Sequence, residues 1–145
     1  LRKAISMLTA IIFMLLIAVL MSLAISLLGT TKAKVANRYL YEQAELLAKS
    51  GTEYAILAIQ GHEINSTTGC LNQINLNYND TFDINITLHY IGNGLPTANC
   101  NILDNSVAFD ESNASVLVDT IVQLKDPNLN NGVPIRYVKR TLQKL

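Results

Sequence analysis

The chain has no tryptophan, and aromatic residues make up only 6% of it. That scarcity excludes a row of stacking platforms for bases or sugars, and it gives no support to an electron-conducting filament of stacked rings. Lysine plus arginine and aspartate plus glutamate balance at 11 each, so the formal net charge is zero. Nucleic-acid binding needs a basic footprint to displace counterions, and composition supplies none. His62 and His89 lie far from any cysteine cluster, and no metal-ligand spacing exists. A Gly-rich phosphate loop, a nucleophile elbow and a Cys–His pairing are all missing, and the carboxylates are scattered. These absences predict a non-catalytic protein with no cofactor and no bound metal.

Charge is nearly missing from one end. Residues 1–31 carry only Arg2 and Lys3, and Ala4–Leu28 is a run of 25 residues without any charge. About 20 helical residues cross a hydrocarbon core, so this run is long enough to span one. It is too long for a secretory h-region, and no clear small-residue cleavage site follows it. Leu, Met and Ala dominate the run and favour helix. The composition therefore predicts a hydrophobic membrane-spanning or filament-core helix over 1–31 and a globular head over 32–145.

Residues Lys32–Gln60 contain no proline and continue at helical spacing. Val35, Tyr39, Leu46 and Ala58 form an apolar stripe, and Glu45 with Lys49 makes a favourable pair one turn apart. An amphipathic helix is expected over 32–60, closed by Gly61 in a left-handed cap. Gly29 reads either as a point where the helix melts or bends, or as a tolerated small residue. Gly51 is expected where the helix packs closely on a sheet.

After Gly61 the period changes to two. Gln73–Tyr78, Phe82–Tyr90, Ser115–Leu124 and Pro134–Leu142 read as four strands, each with one buried face. Asn79-Asp80-Thr81 supplies a turn between the first two, and residues 126–132 join the last two as a hairpin. Residues 92–113 read as loop. The fold class is α+β, a roughly four-stranded antiparallel sheet over 71–144 laid on the amphipathic half of a long helix. Cys70 and Cys100 lie beyond the spanning run; they predict one disulfide in an oxidising compartment, against the alternative of two unpaired buried thiols.

Arg2-Lys3-Ala4-Ile5-Ser6-Met7-Leu8-Thr9 followed by the apolar run resembles the N-terminus of the type IV pilin superfamily, which includes type II secretion pseudopilins. QAELLAKSGTEYAILAI at 43–59 and RTLQKL at the C-terminus also resemble pilin-like proteins of Campylobacter-related bacteria. The resemblance implies the pilin fold. It also implies a structural subunit that polymerises through its N-terminal helix, with an inner-membrane pool and pilus assembly machinery as partners. The product would be an extracellular filament on the cell surface. Ala4 matches the residue before leader cleavage in the family, which implies processing either there or before Leu1. Thr9 stands where most members carry Glu, which is thought to pair with a neighbouring subunit's N-terminal amine. Tip-type minor pilins lack that Glu, so a minor pilin or pseudopilin is the alternative to a major subunit. A single-span membrane-anchored binding domain is the third reading.

Four Asn-x-Ser/Thr sites occur, at Asn65, Asn79, Asn85 and Asn113. Asn65, Asn85 and Asn113 also have an acidic residue two positions earlier: Glu63, Asp83 and Glu111. That pattern resembles the acceptor rule of Campylobacter-type bacterial oligosaccharyltransferases and implies glycans on the surface of an exported protein. Lys and Arg flank the apolar run almost evenly, so the cysteines and these sites are what place the head outside.

Overall fold

The computed structural model describes residues 2–64, 68–97, 99–108 and 114–145. One α-helix, α1, runs Arg2–Gln60, and five strands follow: β1 Gln73–Tyr78, β2 Phe82–Gly92, β3 Ile102–Asp104, β4 Ala114–Leu124 and β5 Arg136–Lys144. The expected α+β architecture is present. The chain divides into two compact units, Leu1–Arg38 and Tyr39–Leu145.

In the first unit the helix continues through Gly29. The hydroxyls of Thr30 and Thr31 both donate to the Leu27 carbonyl at 2.9 Å. Such back-bonding satisfies a threonine inside a helix but competes with the backbone ladder. Every side chain from Met7 to Ala36 is exposed.

In the second unit, β1, β2, β4 and β5 pair antiparallel in that order, so β1 and β5 are the sheet edges. The β1–β2 turn places Asn79 and Asp80 at φ 50° and 53°. Asn and Asp tolerate this left-handed backbone because their short polar side chains bond locally. Asn77 Oδ1 accepts from the Asp80 amide at 2.9 Å. Two details depart from the sequence reading. β3 falls inside the expected 92–113 loop and adds a short parallel contact to β2, Tyr90↔Ile102. Gly61 closes α1 without entering the left-handed region; its amide donates to the Leu57 carbonyl at 3.1 Å, still a helical bond.

The core lies between the last turns of α1 and the inner face of the sheet. β2 alternates strictly, burying Phe82, Ile84, Ile86, Leu88 and Tyr90. β4 contributes Val116, Val118 and Val122. Burying one such side chain contributes about 1.5–3 kcal/mol. The helix meets this face with small residues: Ala44, Ala48, Gly51, Thr52 and Ala55, with Ile59 at the end. A Cβ on Gly51 would stand 3.3 Å from Ile84 Cγ2, so the glycine sets how closely helix and sheet approach. The stripe expected from the sequence is therefore not the buried one. Tyr39 and Leu46 point to solvent, and Ala58 is only half-buried. Small residues won because a wide, β-branched sheet face already fills the interface volume.

Candidate functional site

The first candidate surface is the apolar helix. It holds a window of 18 residues with mean hydropathy 3.0, none of it buried, and is long and apolar enough to cross a membrane. Backbone groups in such a segment are satisfied internally, as lipid requires. Thr9 is exposed within it. A hydroxyl there can bond to its own helix, so unlike a carboxylate it needs no ionic partner when it leaves water. A Cβ on Gly29 would meet nothing within 4 Å, so no packing within the chain demands glycine at that position.

The Cys70–Cys100 disulfide is formed, and its residues are 30 apart in sequence. Asn72 reinforces it: its amide nitrogen donates to the Asn99 carbonyl at 2.9 Å, and its oxygen accepts the Asn101 amide at 2.8 Å. The Tyr90 hydroxyl donates to the Leu71 carbonyl at 2.7 Å beneath this clamp. Burial pushes the Tyr90 phenol up to about 12, so it remains a donor at any physiological pH.

Of the expected glycan acceptors, Asn65 and Asn113 lie outside the described residues. Asn85 sits half-buried in the middle of β2, between Asn75 of β1 and Ile121 of β4. Asn79 is exposed in the β1–β2 turn. No group of three or more His, Cys, Asp or Glu is placed to hold a metal among the described residues.

Two further features lie on the surface of the second unit. The face of α1 opposite the sheet keeps large apolar side chains in water. Leu46 is 64% exposed and Leu57 67% exposed. They stand about three turns apart at 3.6 residues per turn, with Tyr39 about two turns before Leu46. A groove of about 410 Å³ lies at the flank where α1 meets the β1 edge, lined by Tyr39, Leu46, Leu47 and Tyr78, with Glu42 as the one charged residue of its lining. The second feature is the β4–β5 loop, where Leu129 is 57% and Val133 46% exposed. The stripe of Tyr39 and Leu46 is the sequence signal for the first, and it faces solvent rather than the core. Nothing in residue type signals the second.

The outer face of β5 carries Arg136, Arg140 and Lys144 between Val138 and Leu142. Arg140 grips Asp119 of β4 through both a 2.5 Å and a 2.7 Å bond. Those two donors hold the Asp119 carboxyl below the usual range, against a smaller opposing effect of burial.

Comparison of the chain with protein-family models, with curated proteins and with solved structures finds no match.

Proposed function

We propose that this chain is a structural subunit of a type IV pilus-like filament, held in a membrane by α1 before assembly and polymerised through the same helix outside the cell. One observation carries the reading: the helical element whose last turns hold the head through small residues also presents an apolar stretch that is exposed from Met7 to Ala36. That much exposed apolar surface requires lipid or other copies around it. A bundle of such helices offers the same apolar surroundings as lipid, so leaving the bilayer for a filament exchanges one apolar environment for another. The disulfide agrees with a head that matures in an oxidising compartment.

Thr9 supports a second reading, a minor or tip subunit, because a helix without a carboxylate there brings no charge that needs a neighbour's amine. Electron microscopy of purified surface filaments separates the two. A uniform helical polymer of this chain supports the major-subunit reading. Trace amounts beside a different dominant subunit support the minor one. Recovery only as a membrane-bound monomer sinks both.

A further inference from the structure

The unit Leu1–Arg38 is electrically one-sided. Its charged side chains are Arg2, Lys3, Lys32, Lys34 and Arg38, all cationic, and the first acid in the chain is Glu42. A chain of zero net charge therefore carries an all-positive N-terminal unit. Lys32 and Lys34 are exposed on α1 and form no ion pair among the described residues. The positions three and four residues from each hold Leu28, Gly29, Thr30, Thr31, Val35, Ala36, Asn37 and Arg38, so the helix itself offers neither lysine an acid.

The spacing of the cations matches a bilayer. Ala4–Leu28 rises about 37 Å at 1.5 Å per residue, more than a hydrocarbon core of about 30 Å. Lys3 and Lys32 stand about 44 Å apart along the helix, close to the ~40–45 Å of a bilayer with its headgroup zones. Between the apolar run and Lys32, the hydroxyls of Thr30 and Thr31 are already spent on the Leu27 carbonyl. Lys32 is then the first side chain past the run to reach outward for a polar partner.

We propose that Lys32 and Lys34 bind the phosphates of anionic phospholipid headgroups, in the leaflet on the C-terminal side of the apolar run. This rests on the reading that α1 lies in a membrane before assembly. A lysine stem lies along apolar surface while its ammonium reaches the headgroup level. A zwitterionic lipid already carries a cation beside its phosphate, whereas an anionic lipid brings the net negative charge that this unit lacks. Exchange of lipid for neighbouring helices leaves the apolar run indifferent, but it breaks these ionic contacts. Anionic lipid therefore opposes extraction of the subunit, and its abundance sets how readily the chain leaves the bilayer.

The chain has no tryptophan, so Leu28→Trp in the full chain gives a single indole at the end of the run. The variant is reconstituted in phosphatidylcholine vesicles containing phosphatidylglycerol, with bromine on the acyl chains of one lipid or the other. Brominated phosphatidylglycerol should quench the indole with a relative affinity raised by about fivefold for each lysine at low salt. Adding Lys32→Gln and Lys34→Gln should bring the two lipids level while quenching persists, and about 1 M salt should do the same without those changes. Intact mass showing the Cys70–Cys100 bond verifies the fold, and Leu27→Trp reads the same depth if Leu28→Trp misfolds. Equal quenching by the two lipids overturns the headgroup site and leaves the membrane and filament readings standing; an acidic protein as the true partner would give this result. A preference that survives the double glutamine change overturns the assignment to these lysines. No quenching by either lipid overturns the site together with the membrane-held state on which it rests.

Discussion

The hydroxyls of Thr52 on α1 and Thr120 on β4 meet at 3.0 Å inside the core. Thr52 donates to the Ala48 carbonyl at 2.7 Å, so Thr120 is the donor across the interface. Both side chains are buried. Thr52→Val would leave the Thr120 hydroxyl without its acceptor, at a cost of about 1–3 kcal/mol. Thr52→Val with Thr120→Val should recover most of that, because two apolar groups of the same shape replace the pair. Thermal denaturation of the full chain in detergent, as a double-mutant cycle, reads the difference. Additive losses would show that the two hydroxyls do not depend on each other.

The two helix glycines should respond oppositely. Gly29→Ala meets open space and should strengthen the helix by about 1 kcal/mol. Slower amide exchange around residues 27–33 would report it. Gly51→Leu enters the contact with Ile84, Ile86 and Thr120 and should cost about 1–3 kcal/mol or more. An unchanged melting temperature for Gly51→Leu would contradict the close approach described above.

Replacing both cysteines, Cys70→Ser with Cys100→Ser, opens a loop of 30 residues that contains β1 and β2. The expected loss is about 3–4 kcal/mol on the chain-entropy view. Asn72 should keep residues 99–101 in place, so Asn72→Ala should be far more damaging in the cysteine-free chain than in the native one. Equal effects in the two backgrounds would remove Asn72 from the clamp.

Asp119 has a folded-state pKa below its unfolded value because Arg140 donates two bonds to it. Its stabilisation is therefore fully present above the ordinary aspartate range and disappears as pH falls through the lowered folded value. Arg140→Gln should flatten that acid limb of the stability profile and leave the neutral region less stable. A wild-type acid limb in Arg140→Gln, measured by denaturant midpoints between pH 2 and 6, would show that other carboxylates set it.

Asn85 lies in a central strand, paired on both sides. A folded head offers its amide little room. Asn85→Gln should leave any glycan mass on the purified chain unchanged, as read by intact-mass spectrometry. A loss of one glycan unit would mean that Asn85 is modified before the sheet closes.

Much of this architecture follows from local pattern. The end of α1 at Gln60 and the limits of β1, β2 and β4 are set by period, glycine and turn residues within a few positions of each other. β3 escaped because three residues carry no period, and it exists only by leaning on one end of β2. The buried helix face escaped because Ala44, Ala48 and Ala55 signal weakly beside Tyr39 and Leu46, although closeness to the sheet is what selected them. The disulfide was legible from cysteine count and compartment. The groove was not, since it needs Tyr78 of β1 and Leu46 of α1 to be brought together by tertiary pairing.

The two sheet edges differ in what they would permit if a copy misassembled. Along β5, Arg136, Lys139, Arg140 and Lys144 set a like-charged fence against another strand. Along β1, Gln73, Asn75 and Asn77 carry no charge, and such amides can form ladders with copies of themselves. Off-pathway strand addition would therefore start at β1, and an edge occupied by a correctly placed neighbour would be closed to it.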